Sequence, residues 1–348
     1  MKKLKKINAM CLKFRSKSEK IMGRTNSLFF RFFISRNLAI SSFFHSFIPS
    51  FLNFLILSFF LSGCEPKVKV LKDNPDNGEI NFSIDETLRP FVDAQLDVFS
   101  NSFPRTKINR YYKTQNECIS DLVNDSAQLI CIGRALDTTE SKILMQKKFA
   151  PPVFEIALDA IALISNNDDK DSVITTEQIR KILNGEVSNK RLVFDKSNSS
   201  TVNFLMDYYK ITKLPANAFA TESNAEAIKY VSENKNAIGV IGWCWLSDSD
   251  DPFTKKSLEH INVLGIKTSS QKVALKPYQV NLADKQYPFF RSVYLYPREH
   301  GSNLACSFAN FADGDIGQTI ILKAGVVPRH PPVRMLEFKD GNVGKVKN

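Results

Sequence analysis

The stretch ALDAIALIS, residues 157–165, decides the fold that we predict for this chain. It is apolar at almost every position, which is typical of a strand that is buried on both faces of a sheet. A second apolar run, YPFFRSVYLYP, follows at residues 287–297. We interpret the two runs as strands that cross between two lobes and form a hinge, with the intervening residues folded as the second lobe.

Strand and helix patterns alternate on both sides of residues 157–165. The preceding segments EINFSID, TKINRYY and AQLICIG have the composition or alternation of strands, and stretches with helical spacing separate them. The following segments repeat this layout, with helices at TTEQIRKILNG and STVNFLMDYY on either side of the strand RLVFD. Such alternation predicts parallel strand pairing. The predicted fold class is therefore α/β with two lobes.

Several helix ends are marked by capping residues. Thr114 with Glu117, and Asp137 with Glu140, stand in capping-box positions, where the two side chains satisfy backbone N–H groups at the helix start. The chain closes with two helical segments, NLACSFANF and GQTIILKAG. The glycine that ends the second segment is typical of a helix C-terminus.

Residues 1–63 have the layout of an export signal. The apolar run 47–61 has fifteen residues, fewer than the roughly 20 that a membrane-spanning helix needs. A basic segment precedes this run, and small residues that lead to Cys64 follow it. The motif LSGC at 61–64 resembles a bacterial lipobox, which implies cleavage after Gly63 and a lipid on the Cys64 thiol. The alternative is a stop-transfer anchor in which Cys64 is incidental.

The net charge depends on whether this leader stays on the chain. The whole chain has 47 Lys and Arg against 36 Asp and Glu, which gives a net charge of +11. Residues 1–63 hold eleven of these bases and one acid, so the remaining chain has 36 bases and 35 acids. A net charge of +1 does not favour binding to a polyanion, and we predict no nucleic-acid partner.

Composition also predicts the domain boundaries. The segment after Cys64 is polar and contains two prolines, so it is expected to be a flexible tether. The predicted parts are a signal peptide at 1–63, the tether at 64–78, a first lobe combining 79–164 with 286–336, a second lobe at 165–285 and a tail at 337–348.

The sequence carries no recognisable catalytic or metal-binding motif. His260, His300 and His330 lack the spacing of metal ligands and lie near no nucleophile signature. Four cysteines beyond Cys64 lack CxxC spacing and are more typical of buried apolar residues, although an exported compartment would permit a bridge; they are Cys118, Cys131, Cys244 and Cys306. We predict a protein that is not an enzyme and that has no cofactor and no metal.

Five segments together resemble a known family. They are ICIGRALDTTE (130–140), VFDKSNSSTVNFL (193–205), NAIGVIG (236–242), YPFFRSVYLYP (287–297) and FANFADGDIGQTIILKAGVVP (308–328). In this order they are similar to the periplasmic phosphate-binding proteins of ABC transporters, which have the type II solute-binding fold. The resemblance spans residues 79–330 and implies a two-lobed type II periplasmic-binding-protein fold with two strands crossing at the hinge.

The resemblance also implies a function and partners. Members of this family hold an oxyanion between the lobes with N–H and hydroxyl groups at helix N-termini, where unpaired donors and a partial positive charge suit an anion. The implied partners are phosphate or a similar small oxyanion, an ABC permease with its ATPase, and a membrane reached through the lipid on Cys64. We expect a monomer in the cell envelope, facing the periplasm or the exterior.

Two candidate binding turns lie in the first lobe. In SIDET (83–87), Asp85, Glu86 and Thr87 lead into a helix, and the family has a small hydroxyl residue in this turn. Ordinary N-capping explains Asp85 and Glu86 equally well, because acids are favoured at helix starts and two carboxylates would repel a dianion. Gly133 and Arg134 follow the third strand, at the sheet edge where α/β folds place ligands. Arg134 can hold an oxyanion through two N–H groups, and a solvated loop residue is the alternative.

The third candidate turn is DKSNSST, residues 195–201, directly before a helix. Its candidate residues are the hydroxyls of Ser199, Ser200 and Thr201 together with Asp195. A carboxylate here could accept the proton of hydrogen phosphate, which sulfate lacks at neutral pH. Capping of the helix is the competing interpretation of Asp195.

This third turn departs from the family pattern. The family has Gly-Ser-Gly-Thr here, whereas this chain has Asn198 and Ser200 at the glycine positions. The family also has an Arg three residues before the first Ser, and this chain has no match unless Lys196 or Arg191 substitutes. A surface lipoprotein of the same fold that binds a glycan or a protein partner such as a sensor is therefore an alternative.

The two tryptophans bear on this alternative. A glycan binder should expose aromatic side chains, and Trp243 and Trp245 in IGWCWLS are the candidates. Two tryptophans after an apolar strand are more often part of a core.

Overall fold

A computed structural model describes residues 74–187 and 189–332 of the chain. The described strands are β1 (Gly78–Asp85), β2 (Thr106–Lys113), β3 (Leu129–Ile132), β4 (Phe154–Asn166), β5 (Val173–Thr175), β6 (Arg191–Phe194), β7 (Phe219–Ala220), β8 (Ala237–Gly242), β9 (Ile261–Val263), β10 (Gly265–Lys267), β11 (Phe290–Pro297) and β12 (Val327–Pro328).

Ten α-helices belong to the same described residues. They are α1 (Arg89–Ser102), α2 (Gln115–Val123), α3 (Thr138–Gln146), α4 (Thr176–Leu183), α5 (Ser200–Tyr209), α6 (Asn224–Glu233), α7 (Pro252–Leu258), α8 (Gln279–Ala283), α9 (Leu304–Asp313) and α10 (Asp315–Lys323). Two short 3₁₀ turns, Glu86–Leu88 and Trp243–Trp245, follow β1 and β8. Of the helices in the described part of the chain, none combines the length and the apolarity that crossing a membrane requires.

One mixed sheet runs through both lobes, with the main strand order β2-β1-β3-β11-β4-β8-β6-β7. The strands β1, β2 and β3 pair in parallel, as do β6, β7 and β8, which confirms the alternation predicted for each lobe. The crossing strands β4 and β11 instead pair antiparallel with their neighbours. The sheet is therefore parallel within each lobe and antiparallel where the lobes join.

Strand β4 joins the lobes because its two halves pair with different partners. Residues 154–160 pair with β11, whereas residues 161–166 pair with β8 and β9. Strand β11 makes the same transition: Phe289 just before it packs in the core of the second lobe, while Val293 and Leu295 pack in a core of the first. The two predicted hinge-crossing strands are confirmed in this arrangement.

Each lobe has its own hydrophobic interior. The second lobe packs helices α4, α5 and α6 against β6 and β8, with Phe194, Leu205 and Ile228 among the buried side chains. The first lobe packs α1 and α9 on one side of its sheet, around a cluster of phenylalanines that includes Phe82, Phe99 and Phe308. A smaller cluster under α2 and α3 completes it. The cleft between these interiors is lined by the ends of strands and the starts of helices.

Several predicted features can be compared with these elements. Both predicted capping boxes are present, at the starts of α2 and α3. The four cysteines beyond Cys64 are buried, and no disulfide joins them. The helix α7 and the short elements β5, β7, β9, β10, β12 and α8 were not predicted, because short segments carry little periodic signal. The signal peptide, Cys64 and the predicted tail lie outside the described residues, and the domain boundaries remain a prediction.

Candidate functional site

Arg291 lies at the point where the two crossing strands meet. It occupies β11 directly opposite Asp159 of β4 in the strand register. Its Nε and Nη2 donate to Asp159 Oδ2 at 3.1 and 2.8 Å, and the two side chains are only 3% and 0% exposed. A buried charge is stable only when it is paired, so this ion pair holds two charges inside the hinge.

The same guanidinium reaches both lobes. Nη2 donates to Thr87 Oγ1 at 3.0 Å, and Nη1 donates to Ser200 Oγ at 2.9 Å. The two hydroxyl oxygens lie 2.9 Å apart, so they are also hydrogen-bonded to each other. These bonds occupy four of the five N–H donors of an arginine, which leaves one N–H on Nη1. Thr87 comes from the turn after β1 and Ser200 from the first turn of α5, so Arg291 connects hinge and lobes.

Asp85 lies behind this cluster and is almost fully buried. Its Oδ1 accepts from the Thr87 backbone N–H at 3.2 Å, as in the N-capping interpretation. Its Oδ2 accepts no hydrogen bond from any residue that the structure describes. Burial raises the pKa of Asp85, although the nearby Arg291 opposes this. The site therefore contains one buried carboxyl oxygen with an unused capacity to accept a hydrogen bond.

Two buried acids, Asp159 and Asp85, surround the positive charge of Arg291. Burial would lower the pKa of Arg291, but Asp159 and Asp85 raise it above its usual value, so the guanidinium stays charged. Burial raises the pKa of Asp159, and Arg291 opposes that shift. One positive charge thus faces two buried carboxyls, which disfavours a fully deprotonated dianion at this point.

Asp195 forms a second polar cluster at the end of β6. Its Oδ1 accepts a hydrogen bond from Thr201 Oγ1, and its Oδ2 accepts one from Asn224 Nδ2 at 3.4 Å. Ser199 caps helix α5 through a 3.4 Å bond from the Val202 N–H. Burial raises the pKa of Asp195 to about 6 despite its hydroxyl donors. The cap of helix α5 is thus Ser199, whereas Asp195 accepts from the side chains of Thr201 and Asn224.

Glu86 crosses the cleft to this second cluster. Its Oε2 accepts from Asn224 Nδ2 at 2.5 Å, and Asn224 Oδ1 accepts from the Gly242 N–H at 3.0 Å. Burial, followed by repulsion from Asp195, raises the pKa of Glu86 to about 7. Gly242 permits the close approach, because a Cβ there would lie 2.4 Å from the Thr87 carbonyl oxygen. Glu86 was not among the predicted binding residues.

Gly133 and Arg134, of the first lobe, line the same cavity as Arg291. The Gly133 N–H donates to Gln115 Oε1 at 3.2 Å, and a Cβ at Gly133 would lie 3.1 Å from Arg291 Nη1. Arg134 donates to both carboxyl oxygens of Glu140 at 2.8 and 2.6 Å. Glycine at 133 therefore avoids a tight contact with Nη1, while the charge of Arg134 is largely balanced by Glu140.

A cavity of about 320 Å³ opens beside these groups. Five of its lining residues carry the polar groups discussed above, and they are Gln115, Gly133, Arg134, Ser200 and Arg291. The other predicted residues do not line it, and they are Asp85, Thr87, Asp195, Ser199 and Thr201. Three of the eight predicted residues thus line the cavity. Thr87 does not line it but is hydrogen-bonded to Ser200, which does. Whether any of the eight contacts a ligand remains a prediction.

Arg291 is the principal residue that sequence reasoning missed. The signal was present, because Arg291 interrupts one apolar run and Asp159 interrupts the other. A charged residue in a buried strand needs a partner, and two adjacent crossing strands with opposite charges can supply it. The buried arginine of the cleft therefore comes from the hinge strand β11 and not from the third turn.

The tryptophans lie close to the hinge. Trp243 is buried and contacts Tyr278 edge-on, with ring centroids 6.0 Å apart. Trp245 is partly buried and packs against the interiors of both lobes. Neither forms the exposed aromatic surface that a glycan site at these residues requires.

The described residues have the two-lobed type II periplasmic-binding-protein fold. A family model described as the PBP superfamily domain matches residues 72–314, and the chain belongs to this family. The phosphate-binding protein PstS of Bacillus subtilis (strain 168) is 22% identical over 263 residues, covering 72% of this chain and 81% of that protein. The protein of the same name from Borreliella burgdorferi is 23% identical over 273 residues, covering 72% and 91%.

Solved structures share the fold. A candidate phosphate ABC transporter substrate-binding protein from Clostridium perfringens, crystallised with bound phosphate, has a TM-score of 0.62 and 18% identity, covering 73% of this chain and all of that one. An ABC-type phosphate transport receptor from Vibrio cholerae has a TM-score of 0.53 and 18% identity, covering 72% and 99%. At these identities the likeness establishes the architecture alone.

Proposed function

We propose that this protein captures phosphate, or a similar small oxyanion, in the cleft between its lobes. The observation that carries the proposal is the Arg291 guanidinium, which lies at the hinge and donates to hydroxyls from both lobes. Arg291 and Ser200 both line the cavity, and Arg291 has one N–H without an acceptor among the described residues. An oxyanion that accepts from these donors contacts hinge and second lobe together. Relatives named as phosphate-binding proteins support phosphate as the first candidate.

Selection for a protonated oxyanion is the second part of the proposal. Asp195 already accepts from Thr201 and Asn224, and Asp85 lies behind Thr87 rather than on the cavity. We therefore propose that the negative charge of Asp85 near Arg291 disfavours an oxyanion that carries no proton. Hydrogen phosphate can donate one hydrogen bond, whereas sulfate at neutral pH can only accept. A buried carboxylate therefore favours phosphate and repels sulfate.

Transport follows from closure of the lobes around the hinge. An oxyanion that contacts groups of both lobes stabilises the closed form by its higher affinity for that form. We propose that an ABC permease recognises the closed form, that a separate ATPase drives import, and that the protein acts as a monomer. The same proposal assigns it no catalytic role.

The first experimental test compares phosphate with sulfate by isothermal titration calorimetry on the purified chain. We expect phosphate to bind and sulfate to bind at least about ten-fold more weakly. Ser200→Ala should weaken phosphate binding by about ten- to a hundred-fold, since a hydrogen bond to a charged group contributes about 1.5–3 kcal/mol. Ser269→Ala, at an exposed serine of the same lobe, is the matched control. Equal binding of phosphate by wild type and Ser200→Ala would contradict this assignment of the site.

Membrane attachment through Cys64 is a separate prediction. We expect the wild-type chain, expressed in a bacterium that processes lipoproteins, to incorporate a labelled fatty acid and to partition into the detergent phase of Triton X-114. Cys64→Ser removes the thiol that forms the thioether, so both properties should be lost. Cys118→Ser, at a buried cysteine, controls for the loss of a thiol. Retention of the label in Cys64→Ser would show that the lipid is attached elsewhere.

A further inference from the structure

The cavity beside Arg291 is larger than a tetrahedral oxyanion. Its volume of about 320 Å³ lies within the range of about 300–1,000 Å³ in which proteins hold whole organic molecules. Phosphate has only five non-hydrogen atoms, and a phosphate in contact with Arg291 and Ser200 would fill one end of the cavity. The remaining space is therefore available to a group attached to the oxyanion.

One face of helix α5 forms the wall of this remaining space. The residues that line the cavity stand at i, i+3, i+4, i+7 and i+8, the spacing of a single helix face, and they are Ser200, Asn203, Phe204, Asp207 and Tyr208. At about 1.5 Å of rise per residue, Asp207 lies roughly 10 Å along the axis from Ser200. The helix thus presents an oxyanion donor at one end of the cavity and a carboxylate at the other.

Two aromatic residues belong to this face: Phe204 lies between Ser200 and Asp207 along the helix, and Tyr208 follows Asp207. The rings of Phe204 and Tyr208 are nearly parallel, at 19°, with centroids 6.3 Å apart, and Tyr208 is 41% exposed. Aromatic faces together with a carboxylate attract an alkylammonium group through the ring quadrupole and the opposite charge. An organic substituent that ends in an ammonium group matches this wall.

The charge balance of the cavity supports the same conclusion. Arg291 is paired with Asp159, and Arg134 is paired with Glu140. Asp207 forms no ion pair with another residue of the described part of the chain. The carboxylate of the exposed Asp207 is therefore the unbalanced charge of the lining, which favours a molecule that carries a positive charge beside its phosphate.

We propose that the cavity binds a phosphate monoester whose organic part ends in a short alkylammonium group. The phosphate contacts Arg291 and Ser200, and the ammonium group lies near Asp207 and Tyr208. The inference rests on the proposed oxyanion site, because the phosphate end uses the same donors. It extends that site by naming the class of molecule that fills the rest of the cavity.

The test is a calorimetric titration of the full chain with inorganic phosphate, methyl phosphate and O-phosphoethanolamine. Phosphoethanolamine should bind about ten-fold more tightly than methyl phosphate, which is also a phosphate monoester but has no ammonium group. Asp207→Asn should remove this ten-fold difference. Asp284→Asn, at an exposed aspartate of another helix end, should preserve it.

The outcomes separate the two proposals. Binding of methyl phosphate and phosphoethanolamine with equal affinity would overturn the inference while the oxyanion site stands. A ten-fold preference that survives in Asp207→Asn would overturn it as well, because the ammonium group would then be recognised elsewhere. Binding of none of the three compounds would refute the oxyanion site itself, and the inference with it.

Discussion

Replacing Arg291 by methionine is expected to lower the free energy of unfolding by about 3–5 kcal/mol and to abolish phosphate binding. The variant leaves Asp159 buried without its partner, and Asp85 loses the positive charge that offsets its burial. It also removes the donors to Thr87 and Ser200, so the contacts between the lobes weaken together with the oxyanion site. Chemical denaturation and calorimetric titration measure the two effects.

Two further variants sharpen this prediction. Arg105→Met, at an arginine whose pair with Asp76 is exposed on both sides, should cost less than about 1 kcal/mol, because exposed pairs contribute little. Combining Arg291→Met with Asp159→Leu should recover much of the stability, since an apolar pair can replace a buried ion pair. Phosphate binding should stay absent in the double variant. A double variant that binds phosphate as wild type does would remove Arg291 from the site.

The protein is expected to become more stable as the pH falls from 7 towards 4.5. The pKa of Glu86 is about 7 in the folded protein against an ordinary value of 4.5, because the side chain is buried and faces Asp195. Between these values the folded protein holds a proton that the unfolded chain has released. Stability is therefore lost as the pH rises through this window, by about 3 kcal/mol from Glu86. Asp195, with a pKa of about 6, acts in the same direction.

Glu86→Gln isolates the contribution of Glu86. The amide keeps an oxygen that can accept from Asn224 but does not titrate, so the slope of unfolding free energy against pH should become flatter. Glu177→Gln, at an exposed glutamate in the first turn of α4, should leave the slope unchanged. The exposed acids Glu79 and Glu117 have lowered pKa values through hydrogen bonds and oppose the trend weakly. A wild-type protein that is no more stable at pH 5 than at pH 7 would refute the prediction.

The fold was largely predictable because its deciding elements carry strong local signals. Strand β4 is the longest of the described strands, and burial along almost all of it is what makes it apolar, whereas β11 alternates between buried and partly buried residues over much of its length. Helices α2 and α3 start at their predicted capping boxes. Short strands such as β7 and β9 depend on pairing with distant strands, so nothing local specifies them.

Of the residues that form the site, the sequence predicted only those near helix starts. Thr87 stands in the turn before α1 and Ser200 is the first residue of α5, where local patterns reveal them. Their contact with each other joins positions 113 residues apart, and the contact of Arg291 with Thr87 spans 204 residues. No periodicity links such positions, because they meet only when the lobes close on the hinge strands. The roles of Glu86 and Asn224 in the cleft were missed for the same reason.

The placement of Trp243 and Trp245 gives the protein a built-in optical reporter. They are the only two tryptophans of the chain, and both lie in the turn that packs beside the hinge, one of them against both lobe interiors. Indole emission depends on the polarity around the ring, so a change in lobe packing should alter the spectrum without any attached dye. Stopped-flow fluorescence on the unmodified chain can then time the motion that follows anion addition, in the same sample used to measure affinity.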